Sequence, residues 1–175
     1  MGELRTAIVV PVPEAAATVD GWREQTLLTK PSTGVPAHVT LDFPFVPAAE
    51  LSDAVVEGLR ELFAGVEPFE FELREPGRFS HTLFLSPMPE EPFVSLVERV
   101  REAYPAYPPY GGRYDRVVPH LTVAEGEDEV LDEAEADVRP SLPMRAVARE
   151  ALLLEETEPH WGHWEVRARL PFAGA

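Results

Sequence analysis

Two stretches restrict the fold of this chain more than any other part of it: GVPAHVTLDF at 34–43 and VVPHLTVAEG at 117–126. Each sets a histidine, one apolar residue and a threonine in a row, His38-Val39-Thr40 and His120-Leu121-Thr122, with a proline one or two residues ahead. In a strand, side chains at i and i+2 leave the same face. His38 and Thr40 therefore emerge side by side, as do His120 and Thr122. Val39, Leu41, Leu121 and Val123 take the opposite face and can enter a core. Each stretch reads as a strand with one apolar and one chemically armed side.

The segments around these strands fall in nearly the same order twice. The pattern predicts a buried strand at 6–12, a helix over 13–28, the first HxT strand at 38–43, a helix over 47–65 stopped by Gly65, and an alternating strand at 69–75. A turn at Pro76-Gly77 leads to a second run: a strand at 77–87, a helix over 90–104, a loop rich in Pro, Gly and Tyr over 105–116, the second HxT strand at 118–125, and a helix beginning the stretch 127–142. The segment 144–156 is strand-like toward its end. The last strand, 163–172, turns Trp164, Val166, Ala168 and Leu170 inward. Crossover helices together with hairpins predict an α+β fold. It has two pseudo-symmetric lobes, mostly antiparallel sheets flanked by helices, and a central groove carrying the two HxT strands. At 175 residues, the chain is expected to be a single bilobal unit over 1–175.

Composition limits the partners. There are no cysteines, which removes disulfides and thiolate metal sites. The N-terminal apolar run is short and broken by Pro11, Pro13 and Glu14, so a soluble, cytoplasmic protein with no membrane partner is expected. The formal net charge is -16. Affinity for long nucleic acids comes mainly from Lys and Arg neutralising phosphates, so no extended nucleic-acid surface is expected. A small phosphorylated ligand in a local pocket remains open. The acid-rich stretch 125–137 reads as a solvated helix face, with acids favourably placed near a helix N-terminus.

Two imidazoles and two hydroxyls converging on one groove suit a phosphodiester. A neutral histidine can take a proton from the attacking oxygen, and a protonated one can give a proton to the leaving oxygen. Threonine hydroxyls can donate to the non-bridging oxygens. The scheme needs no metal and no cofactor. Either histidine could be the base. A net negative protein and a bound phosphate raise imidazole pKa values, while burial lowers them, and an optimum near neutrality is expected.

GVPAHVTLDFPF and YGGRYDRVVPHLTVAEG resemble the two signatures of the 2H phosphoesterase superfamily, specifically its 2'-5' RNA ligase-like members. Most of the chain takes part, because element order and motif spacing agree as well. The resemblance implies metal-independent chemistry at 2',3'-cyclic or 2'-5'-linked phosphates of nucleotides or RNA ends, with hydrolysis and ligation both possible. It implies catalytic roles for His38, Thr40, His120 and Thr122. A monomer acting on a nucleotide or an RNA terminus is expected.

Further candidates for substrate contact are Phe43, Arg78, His81, Tyr114 and Arg116. Tyr110, Phe45 and Trp161 could stack on a base, and Lys30 and Arg113 could meet an anion. Each has an ordinary alternative in packing or surface charge. His160 and His163 lie three apart and could suggest a metal, though a turn around Gly162 explains them better. The competing functional class is a non-catalytic nucleotide-binding module with the same cleft. Turnover of a 2',3'-cyclic nucleotide, with and without a chelator, separates these readings.

Overall fold

The computed structural model describes residues 2–114 and 116–175; Met1, and Asp115 within the loop expected over 105–116, lie outside the described residues. In chain order the elements are β1 (Thr6–Pro11), α1 (Ala16–Thr26), β2 (His38–Asp42), α2 (Asp53–Ala64), β3 (Phe69–Phe79), β4 (Thr82–Met88), α3 (Glu91–Ala103), β5 (Leu121–Glu125), α4 (Asp128–Val138), β6 (Met144–Ala148), β7 (Glu150–Glu158) and β8 (His163–Pro171). One sheet has the order β2-β1-β7-β8 and the other β5-β4-β3-β6, and every paired strand is antiparallel. The fold is α+β with two four-stranded sheets.

The two HxT strands occupy equivalent places. β2 and β5 each form one edge of a sheet, and the two edges lie against each other. In each sheet the edge strand pairs with the strand that precedes it in sequence, β1 or β4, with a helix between them. The apolar faces meet in a continuous core. Val39 and Leu41 of β2, Leu121 and Val123 of β5, and Leu83 and Leu85 of β4 are all buried there. The helices lay their stripes on this core: Val56, Leu59 and Phe63 of α2, Phe93, Leu96, Val97 and Val100 of α3, and Leu131, Ala134 and Val138 of α4. Ser52 caps α2 by accepting from the Val55 N–H at 3.3 Å. Asp128 and Glu129 lie in the first turn of α4, where they favour the helix dipole. Among the described residues no helix is long and apolar enough to cross a membrane.

Three local expectations are corrected. The hairpin between β3 and β4 does not turn at Pro76-Gly77. Both residues lie inside β3, paired with Leu85 and Phe84. Gly77 is there because a Cβ would sit 2.5 Å from the Phe84 ring. The chain turns instead at Ser80-His81, where Ser80 takes a positive φ of 29°. Second, 144–156 is two strands, β6 and the start of β7, which belong to different sheets. Third, the four residues expected to face inward together on β8 do not share one face: Ala168 and Leu170 enter the main core, while Trp164 packs in a separate cluster with Ala7, Val9, Val35, Leu152 and Leu154. A register shift pairs Leu154 with Val166 but Leu153 with Ala168, and the extra residue puts Trp164 and Val166 on the face opposite Ala168 and Leu170, with Val166 42% exposed.

Candidate active site

The two HxT strands begin with the same local bond. His38 Nδ1 lies 2.7 Å from the Pro36 carbonyl, and His120 Nδ1 lies 2.8 Å from the Val118 carbonyl. Each imidazole is thus tied to the carbonyl two residues before it. A carbonyl only accepts, so in a neutral ring the proton sits on Nδ1 and Nε2 keeps its lone pair. His38, Thr40, His120 and Thr122 all line one cleft of about 260 Å³. The HxT frames in β2 and β5 therefore bring both imidazoles and both hydroxyls to a single space.

Burial is the largest influence on both rings. It pushes His38 down to about 4; the bond to Pro36 opposes this, and the charges of Arg23 and His120 add to it. His120 is also lowered by burial, against the bond to Val118. The edges of Phe79 and Phe84 pack on the His120 ring, with centroids 5.1 and 5.5 Å away.

An aromatic wall closes one side of the cleft. Phe43 lies 5.5 Å from Trp161 and 6.2 Å from Trp164, between ring centroids. The Arg5 guanidinium sits 4.0 Å over Trp161. Glu156 holds this arrangement together. Its buried carboxylate accepts from Arg5 Nη2 at 2.7 Å and from the Trp161 N–H at 2.8 Å. Burial alone would raise the Glu156 pKa, but these bonds outweigh it and hold the carboxyl below its usual range. Trp161 needs such an anchor, because its φ is 66° in the turn before β8.

Each HxT strand also carries an extra residue at the same point. Thr40 pairs with Val9, but Asp42, two residues on, pairs with Ile8, the very next position; likewise Thr122 pairs with Phe84 and Ala124 with Leu83. The residues at +3 and +4 from each histidine, Leu41 with Asp42 and Val123 with Ala124, are consequently all buried. The +5 residue then returns to the cleft: Phe43 in one strand and Glu125 in the other. Burial raises the Glu125 pKa.

These strands and this cleft sit inside a region with known relatives. The sequence model of the 2'-5' RNA ligase superfamily matches residues 11–159. The chain belongs to that superfamily. A Bacillus licheniformis protein whose name gives it a provisional phosphoesterase activity is 28% identical over 126 residues, covering 68% of each chain. A Halalkalibacterium halodurans protein named in the same way is 31% identical over 105 residues, 57% of this chain and 59% of its own. Among solved structures, TT0787 of Thermus thermophilus superimposes with a TM-score of 0.64 at 22% identity, covering 97% of this chain and 98% of its own. E. coli LigT complexed with 3'-AMP gives a TM-score of 0.63 at 17% identity, covering 98% and 99%. These two likenesses concern the fold.

The other residues singled out in the sequence of this superfamily member are dispersed. Phe43, Tyr110 and Trp161 line the cleft with the histidines. Tyr114, Arg113 and Arg116 line an adjoining space of about 410 Å³ that shares Tyr110, His120, Thr122 and Glu125 with it. Arg116 is paired with Glu90. Arg78 instead pairs with Asp132 at 2.7 Å and Glu135 at 3.6 Å on the α4 side. His81 sits in the β3–β4 turn, its carbonyl accepting from the Gly126 N–H. Phe45 packs in the core against Tyr104. Lys30 lines neither space. His160 and His163 flank the turn before β8, and among the described residues no three His, Asp or Glu side chains gather as a metal-holding group. Sequence reasoning missed Arg23, Glu125 and the Arg5–Glu156 pair. The +5 spacing shared by Phe43 and Glu125 was a readable signal for one of them. The others depend on distant contacts.

Proposed function

We propose that this protein is a phosphoesterase that opens 2',3'-cyclic phosphates or cleaves 2'-5' phosphodiesters of nucleotides or RNA ends by two-histidine acid–base catalysis. One observation carries the reading: two imidazoles, each with Nδ1 committed to a carbonyl, share a cleft with two threonine hydroxyls. A neutral Nε2 on one ring takes a proton from water as the water oxygen bonds to phosphorus. The bond from phosphorus to the 2' or 3' oxygen breaks, and that oxygen receives a proton from Nε2 of the other ring. The product is a phosphomonoester beside a free hydroxyl. Thr40 and Thr122 donate to the non-bridging oxygens as charge grows there. The wall of Phe43, Trp161 and Trp164 offers a face for a base. The phosphoesterase names of the two bacterial relatives and the nucleotides bound to LigT agree with this reading.

The test is initial-rate hydrolysis of 2',3'-cyclic AMP with and without EDTA. The expected rate does not change with the chelator. His38→Ala and His120→Ala each lower it by roughly 10²–10⁴-fold, the usual worth of a positioned proton-transfer group. Thr40→Ala or Thr122→Ala costs less, about 1–4 kcal/mol of barrier. Loss of activity with EDTA, or an active His120→Ala enzyme, overturns the mechanism. Tight nucleotide binding without turnover of any cyclic or 2'-5'-linked compound makes the protein a binding module.

A further inference from the structure

The two halves of the cleft copy one another at the histidines but differ behind them. Arg23, on the buried face of α1, is 1% exposed and lines the cleft. Its Nη1 donates to Asp20 at 2.8 Å, and its Nη2 lies within reach of three carbonyls: Val35 at 2.8 Å, Thr29 at 3.1 Å and Pro36 at 3.2 Å. The Pro36 carbonyl is the one that accepts from His38 Nδ1. One oxygen is thus shared by a fixed guanidinium and the first imidazole. No such group stands behind His120: among the described residues, the only side-chain hydrogen bond to the Val118 carbonyl comes from the imidazole.

We propose that Arg23 is a positioning residue that divides the labour between the histidines, making His38 the base and His120 the acid. The inference rests on the two-histidine reading above. Arg23 acts on His38 in two ways. It anchors the 35–36 backbone, which fixes the ring's Nδ1 partner and so aims Nε2. Its positive charge also opposes a second positive charge on the nearby ring. The charged or titratable groups lining the cleft around His38 are Arg23 from α1, Tyr110 from the loop after α3, His120 immediately before β5 and Glu125 at the end of β5, with Asp20 behind the guanidinium. Burial and the Arg23 charge both favour neutral His38. His120 has burial against it but no guanidinium. In the resulting step, His38 Nε2 takes the water proton, and His120 Nε2 gives its proton to the departing ribose oxygen. The proton then passes from His38 back to His120 through solvent.

Two measurements test this. The first is the ¹⁵N titration of both imidazoles in the whole protein, which needs no turnover. His38 should titrate below His120, both in the Nδ1–H tautomer when neutral. In Arg23→Gln the His38 midpoint should rise and the His120 midpoint should move less, with the acid limb of kcat/KM following His38. Arg23→Lys, which keeps the charge, should hold the low midpoint while losing kcat through a poorly aimed ring. The second measurement uses a nucleoside p-nitrophenyl phosphodiester, whose leaving group needs no proton. On it, the defect of His120→Ala should shrink at least tenfold, and that of His38→Ala should not. His38 titrating at or above His120, or a defect rescued in His38→Ala instead, overturns the assignment while leaving two-histidine catalysis standing. If Arg23→Gln does not fold, the wild-type titration order and the leaving-group comparison decide alone. Absence of turnover on every phosphodiester sinks the underlying reading and, with it, the roles assigned here, even if the titration order holds.

Discussion

At the scale of single residues, the pH response follows from where the imidazoles sit. Reasoning from charge alone sets the net charge of -16 and a bound phosphate against burial, and places the optimum near neutrality. In the folded protein, burial is the largest cause for both rings and lowers both. On the proposed two-histidine mechanism, the free protein therefore needs more acid than an ordinary imidazole pair to carry its one proton. The bell in kcat/KM, which reports the free enzyme, should be centred below the ordinary imidazole value of 6.5. The bell in kcat, which reports the complex, should lie higher, because a bound phosphodiester anion favours the protonated ring. Rates on 2',3'-cyclic AMP from pH 4 to 9 check this; a kcat/KM bell centred above the kcat bell contradicts it. The two histidines and two threonines were legible because their spacing is local and periodic. Arg23 was not, since an arginine on a helix reads as surface until the carbonyls that enclose it are known. The ion pairs of Arg78 were hidden for a related reason: nothing in its strand sequence reveals that Asp132 and Glu135 lie beside it.

At the scale of the element, β2 carries two ionisable groups whose shifts oppose each other, His38 half-buried at one end and Asp42 buried at the other. Asp42 is fully buried, and neither carboxyl oxygen has a hydrogen-bond partner among the described protein groups. Burial pushes its pKa up to about 8 from 3.8, although Arg101 pulls the other way. A raised carboxyl pKa means the folded state holds the proton more tightly than the unfolded chain. Its contribution is full below pH 3.8 and is lost as pH rises through about 8. His38 runs in the opposite direction. Its contribution is present above 6.5 and is lost as pH falls through about 4. Asp42→Asn should therefore raise Tm at pH 8, by about 2 °C or more for a gain of one kcal/mol in a domain of this size. The gain should shrink toward pH 4, with the acid-side loss retained. Thermal melts across pH 4–9 decide it; an equal shift at every pH means Asp42 does not titrate in this way. Strand β2 itself was legible, as were β5 and the amphipathic α2 and α3. The β3–β4 turn was not. Pro-Gly is a strong local turn signal, yet here the space Gly77 leaves for the Phe84 ring overrode it. The bulge in β8 was equally hidden, because a register shift depends on the partner strand.

At the scale of the whole molecule, charge and symmetry set what the cleft can receive. With a net charge of -16, the protein repels a polyanion from a distance while a mononucleotide carries little charge to repel. The rate on the 2',3'-cyclic end of a long RNA should rise several-fold between about 20 and 200 mM salt as this repulsion is screened, whereas the rate on 2',3'-cyclic AMP should change little. This reverses the usual salt dependence of nucleic-acid binders, and a falling rate with salt would reveal a phosphate-binding track that the overall charge conceals. The doubled architecture was readable in the repeated order of segments; the departures from it were not, because they lie in contacts between segments. The paired bulges have a consequence of their own. By sending one residue back to the cleft at +5 in each strand, the fold sets Phe43 and Glu125 beside the two histidines at a matched spacing. On the two-histidine reading proposed above, the residue types at these two positions would tune which ester is held, while the HxT residues before them would supply the chemistry common to all.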